Sequence, residues 1–316
     1  MPCRLLLAII LATIASPARA QNPIQWMGNS KAAVNRAAEH SMPLLFWVTE
    51  KEDALDDDDL RDAQSRAFRD PAVSALAQRR FVPVRVSRGN SRVVEEAQKL
   101  GLPTDFGLYI AIISPEGKLI RRISPGDVAD AQALATSMVE ALHTYLNDLY
   151  DSKLRPVITS SESSKADVRD AVQTVWRLGI LSADKDCIAL LERGDLTPTE
   201  HARLCTMLGA MATPACIEEL LGRAAAGDEA AANALNQAEA GALETLLKEL
   251  PPEHRPPEPR QVVAYRAACR ISHTSAKPDS FWPEAQPGQR RAALESLRRR
   301  AEPILDFWNH NTGRWR

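Results

Sequence analysis

Eight carboxylates crowd the stretch TEKEDALDDDDLRD: Glu50, Glu52, Asp53, Asp56, Asp57, Asp58, Asp59 and Asp62 fall within thirteen residues. Hard oxygen donors at that density suit calcium. A loop of the EF-hand kind also needs alternating acids, a glycine at its sixth position and a glutamate at its twelfth; no glycine occurs between Gly28 and Gly89. Two other readings stand beside calcium. One is a solvated loop whose acids favour the N-terminus of the next helix, each by about 0.3–1 kcal/mol. The other is an acidic interaction loop, centred on Asp56, Asp57, Asp58 and Asp59, that meets a basic patch on a partner.

A second constellation lies in the other half of the chain. His201 and Cys205 stand four residues apart, the spacing of one helix face, and Cys187 and Cys216 fall on neighbouring expected helices. Three thiols and an imidazole are a zinc donor set. The same face also carries Leu204, Leu208 and Met211, so core packing accounts for the thiols equally, and a structural disulfide is a third reading. No residue is assigned to a metal on this pattern, and no cofactor is expected. The six histidines include no HExxH, and no serine stands in a GxSxG or P-loop context, so hydrolysis by a nucleophilic serine and nucleotide chemistry have no motif.

The elements that position these groups begin after the signature of an export signal: Arg4, an apolar run from Leu5 to Ile14, then small Ala18 and Ala20 ahead of Gln21. Residues 1–20 are therefore expected to be a cleaved signal peptide and the protein to be exported, periplasmic or secreted. Loss of Arg4 and Arg19 takes Lys+Arg from 39 to 37 against 41 acids, a net charge of −4. That balance gives no reason to expect nucleic acid as a partner. No later run of about 18 apolar residues follows, so no membrane span is expected after cleavage. Cys187, Cys205, Cys216 and Cys269 remain, none of them spaced as CxxC.

From Ile24 to about Leu146 the order is helix, apolar strand LLFWV, helix, strand FVPVRVS, helix, a hairpin of LYIAIIS and KLIRRIS around Ser114-Pro115-Glu116-Gly117, and a final helix near Val128 to Tyr150. The first two strands should be parallel and the last two antiparallel. Ile24 and Trp26, Met42-Pro43, Leu45-Phe46-Trp47, Asp70-Pro71-Ala72-Val73, Phe81-Val82-Pro83-Val84 and the hairpin tetrapeptide together resemble the exported branch of the thioredoxin family. The resemblance implies an α/β thioredoxin-like N-terminal domain over 21–150. It also places Lys51, Glu52, Asp53 and Ala54 where the family carries its CxxC pair, and Leu108 where it carries a cis proline. None of the four is a thiol, so disulfide exchange at that loop has no nucleophile.

After an expected polar linker, 151–163, every period is helical. Ser164 with Asp167 opens a helix, Thr197-Pro198-Thr199-Glu200 is a capping box, and Thr213-Pro214 opens another. Segments 177–195 and 207–228 match with Leu178 against Leu208 and Leu191 against Leu221, and a weaker copy ends in LETLLKEL. Paired helices repeated in this way resemble HEAT-type units, which implies an all-α, HEAT-like helical-hairpin C-terminal domain over 164–316. The closing segment, with Arg290, Arg291, Arg298, Arg299 and Arg300 beside Phe307, Trp308 and Trp315, reads as a helix with a packed apolar stripe, or else as one that docks on a membrane surface or partner. The function expected is a non-catalytic protein-binding or scaffold module in the cell envelope with a protein partner. The alternative is a thiol–disulfide or metal-dependent enzyme that uses the second-domain cysteines or the acidic loop.

Overall fold

The computed structural model describes residues 24–28, 30–49, 58–87, 95, 98–99, 109–193 and 195–311. Residues up to Tyr145 form one compact unit and those from Leu146 a second. The first is a small mixed α/β sheet with helices, and the second is largely helical.

In the first unit α1 (Ser30–His40) ends at Ser41, whose φ of 51° breaks the helix, and Pro43 leads into β1 (Leu44–Thr49). Next come α2 (Asp58–Ala67) and α3 (Pro71–Arg80). Asp70 caps α3: its Oδ1 accepts from the N–H groups of Ala72 and Val73 at 2.9 and 3.2 Å, with Pro71 at the first helical position. β2 (Val82–Ser87), β3 (Tyr109–Ile113) and β4 (Leu119–Ile123) complete a sheet of order β2-β1-β3-β4. β1 runs parallel to β2, with Leu44 opposite Val82, and antiparallel to β3, with Leu44 opposite Ile113. β3 and β4 are antiparallel around the Ser114–Gly117 turn, closed by Gly117 N–H donating to Ser114 O at 2.9 Å. Gly117 has φ +87°, which a side chain would strain.

Both faces of the central strands are covered, which is why they read as unbroken apolar runs rather than as alternating ones. One face packs Leu44, Val48, Val82, Val84, Ala111 and Ile113 against Ala33 and Ala37 of α1. On the other, Trp47 packs at a tilt against Trp26 and Phe68, with ring centroids 5.4 and 4.6 Å away. Its Nε1–H donates to the Oε1 of buried Gln64 on α2 at 3.0 Å, and Gln64 Nε2 donates to Pro125 O at 3.1 Å. Pro125 opens the short α4 (Pro125–Ala129), which is followed by the long α5 (Ala131–Leu149).

Residues 151–163, expected to be a linker, remain helical through Thr159: a π turn at Tyr150–Leu154 passes into α6 (Arg155–Thr159). Burial explains the difference. Tyr150 and Ile158 are buried, the Tyr150 hydroxyl donates to Asp186 Oδ2, and Arg155 Nε lies 3.1 Å from the same oxygen. The polar residues between them face solvent, so the segment looks like a linker in composition while its spaced apolar residues anchor it.

The helices of the second unit then follow in order: α7 (Lys165–Leu178), α8 (Asp184–Leu191), α9 (Pro198–Met211), α10 (Pro214–Ala225), α11 (Glu229–Asn236), which packs on both α9 and α10, and α12 (Leu243–Lys248). Their starts are local chemistry. Ser164 caps α7 through the Asp167 N–H, Thr197 and Glu200 form the expected reciprocal box on α9, and Thr213 caps α10 through the Cys216 N–H. Leu178, Leu191, Leu208 and Leu221, the residues that align in the internal repeat, are all buried. α13 (Pro259–Ile271), the four-residue α14 (Phe281–Glu284) and α15 (Pro287–Asn311) close the unit. α15 buries Ala293, Leu294, Leu297 and Ala301, and its Trp308 ring occupies the space beside Gly241.

Candidate functional site

The loop expected to replace a redox pair, with Lys51, Glu52, Asp53 and Ala54, lies outside the described residues, as do Asp56, Asp57 and Leu108. Asp58 and Asp59 are the first two residues of α2, and the Asp59 side chain is exposed. Acidic charge at that position favours the helix N-terminus.

A concave site forms instead in the helical unit. α7, α9 and the chain between α8 and α9 enclose a groove of about 1000 Å3. Its floor is apolar, with Val168, Val172, Leu190, Leu196, Leu204 and Met207. Trp176 stands on its wall with 53% of its surface exposed. The rim is charged and largely self-neutralised: Lys165 Nζ lies 3.3 Å from Asp195 Oδ2, Arg193 Nε lies 3.4 Å from Asp195 Oδ1, and Arg169 Nε lies 3.3 Å from Asp170. The hydrogen bond from Lys165 is the main cause holding the Asp195 carboxyl below the usual range. Glu200 is held low by the N–H and hydroxyl of Thr197 in the capping box. The groove is therefore an apolar trough with fixed charges along its edges. Trp176 was not among the expected site residues; the available signal was a tryptophan beside exposed Gln173 and Arg177 on the polar side of an amphipathic helix.

The opposite side of α9 carries His201 and Cys205, and here the expected grouping changes. Among the described residues they gather with Asp228, the N-cap of α11, and not with Cys187 and Cys216. His201 Nε2 lies 2.8 Å from Asp228 Oδ2 and 3.5 Å from Cys205 Sγ. Thiol, imidazole and carboxylate invite comparison with a nucleophilic triad, but a triad needs the carboxylate on one ring nitrogen and the nucleophile on the other. Here both meet Nε2. Burial, then the charge of Asp228, pushes the Cys205 thiol up to about 11, the wrong direction for a nucleophile.

The remaining thiols are no better placed for exchange. Cys187, Cys205, Cys216 and Cys269 are all free and buried, so the disulfide reading is replaced by core thiols. Burial pushes Cys187 up to about 12, Cys216 up to about 11, and Cys269 upward. Among the described residues no helix is long and apolar enough to cross a membrane. No protein family, curated protein or solved structure matches the chain.

Proposed function

We propose that this chain is an exported, non-catalytic protein-binding or scaffold module of the cell envelope, combining a thioredoxin-like unit without its thiol pair and a unit of HEAT-like helix pairs. The observation that carries the reading is the groove between α7 and α9, with an apolar floor and a half-exposed Trp176 at its wall. A tryptophan with so much apolar surface in water is the kind of anchor that interfaces bury at their centre. The occupant that fits is a peptide segment of another protein, with apolar side chains for the floor and polar ones for the paired rim.

The sheet supports the thioredoxin-like part of the reading. Its parallel first pair and antiparallel hairpin are the pairings expected from the element order, and they are compatible with the resemblance. The burial of Leu178, Leu191, Leu208 and Leu221, the residues that align between the two segments, supports the repeat reading. Export rests on the N-terminal pattern around Leu5 to Ala20. A thiol-exchange enzyme is less well supported, because its candidate cysteines are buried with raised pKa values.

The test is site-specific photo-cross-linking in the cell envelope with tagged full-length chain. A photoreactive side chain replaces Trp176 in one form and exposed Glu244 of α12 in another. A discrete protein adduct from position 176 and none from 244 is the expected result. Adducts of equal yield from both positions, or none from 176, would remove the groove as a binding site.

A further inference from the structure

We propose that His201, Cys205 and Asp228 form a three-ligand site for a borderline divalent transition metal, with zinc the best fit. The three donor atoms lie within 4.8 Å of one another. His201 and Cys205 are one turn apart on α9, so their side chains share a direction. Asp228 comes from the start of α11 and is held in place: its Oδ1 accepts from Ala230 N–H at 2.9 Å and Ala231 N–H at 3.1 Å, which aims Oδ2 at the imidazole. Such outer hydrogen bonds are what orient a ligating carboxylate.

A simple His–Asp pair gives the Cys205 sulfur no part beyond packing. A proton on His201 Nε2 serves Asp228 and leaves no lone pair at that nitrogen for the Cys205 thiol. Without that proton, the nitrogen and carboxylate lone pairs confront each other at 2.8 Å. A cation at the point of convergence satisfies sulfur, nitrogen and oxygen together. It also balances charge, since Zn2+ meets one thiolate and one carboxylate, and the neighbouring Arg223 is paired with Glu219 at 2.6 Å.

The donor chemistry selects the metal. Calcium and magnesium take oxygen shells, whereas thiolate, imidazole and carboxylate suit zinc. The thiol-to-imidazole separation of 3.5 Å already matches two ligands on one tetrahedral ion. The imidazole-to-carboxylate distance must open from 2.8 Å to about 3.3 Å, given metal–ligand bonds of about 2.0–2.1 Å. A small rotation of the His201 ring supplies that. Cys205 is fully buried, while the side chains of His201 and Asp228 are 25% and 23% exposed, so the fourth position faces solvent. On binding, the Cys205 sulfur loses its proton to solvent as the S–metal bond forms. The site does not depend on what the groove binds, because it uses the other side of α9.

Cobalt(II) and zinc(II) titrations of full-length, metal-stripped protein test this. One Co2+ per chain should bind with a thiolate-to-cobalt charge-transfer band and be displaced by Zn2+. Cys205→Ala should abolish the band, while His201→Gln and Asp228→Asn should weaken binding by at least about tenfold. Asp228→Asn is the decisive variant, because asparagine still caps α11 and keeps the fold. Absence of saturable binding would overturn the proposal. So would unchanged affinity in Asp228→Asn, or a band that survives Cys205→Ala and is lost in Cys187→Ala.

Discussion

Gly209 of α9 lies against the backbone of Ala234 in α11 so closely that a Cβ at Gly209 would stand 2.8 Å from the Ala234 carbonyl oxygen and 3.3 Å from its carbon. That contact sets how near the two helices run, and the same helices bring His201 and Cys205 to Asp228. The neighbour is backbone, so it has no rotamer through which to move away.

Gly209→Ala is therefore expected to destabilise the helical unit by up to about 2 kcal/mol, the overpacking cost of about 1–3 kcal/mol less a gain of about 1 from helix propensity. Gly222 of α10 is the control. A Cβ there meets only the Arg260 guanidinium at 3.9 Å, so Gly222→Ala should stabilise by about 0.5–1 kcal/mol. Chemical denaturation of both variants reads the difference, and equal signs would refute the close-contact account.

Gln64→Ala should cost about 2–4 kcal/mol in the sheet unit. The substitution empties a fully buried position and removes partners that both Trp47 Nε1–H and the Pro125 carbonyl use. Trp47 fluorescence, monitored through the unfolding transition, is the measurement; a loss below about 0.5 kcal/mol, the scale of a surface substitution, would contradict the linkage.

Burial acts to raise the Asp228 pKa, but the N–H groups of Ala231 and Ala230 and the contact with His201 outweigh it, so the carboxyl sits below its usual range. A depressed folded-state pKa means that its stabilisation is present above the unfolded value of about 4 and is lost as pH falls through the folded value. The stability difference between the native chain and Asp228→Asn should therefore narrow below about pH 4. A difference that stays constant from neutral pH into acid would show that the carboxylate carries none of it.

Native protein at pH 8 should leave Cys187, Cys205, Cys216 and Cys269 nearly unlabelled by an alkylating reagent. All are buried, and the pKa values of three are pushed up to about 11–12, far above the ordinary thiol value of about 8.5. Labelling should become complete in denaturant. Rapid modification of any of the four in the folded protein would reopen the thiol-enzyme reading.

Much of the local structure was legible because its causes are local. The Thr197–Glu200 box, the Ser164 and Thr213 caps, the Ser114–Gly117 turn and the apolar strand LLFWV each depend on residues within a few positions of one another. The helical run through Tyr150 to Thr159 was not legible, since its reason is a contact from Tyr150 to Asp186, 36 residues on. Trp176 was missed for a related reason: amphipathic spacing identifies the buried side of α7, but a groove needs a second helix at a particular distance.

The sequence by itself determined the capped helix starts at Ser164, Thr197 and Thr213, the strand LLFWV, the Ser114–Gly117 hairpin turn, the change from α/β to all-α patterning, and that His201 and Cys205 share one helix face. Period, capping and turn chemistry act over one or two turns, so they survive without tertiary context. Only the tertiary structure decided that Asp228, 27 residues from His201, completes that face. Meetings between elements depend on which backbones can approach, and at Gly209 and Ala234 the missing side chain lets them do so.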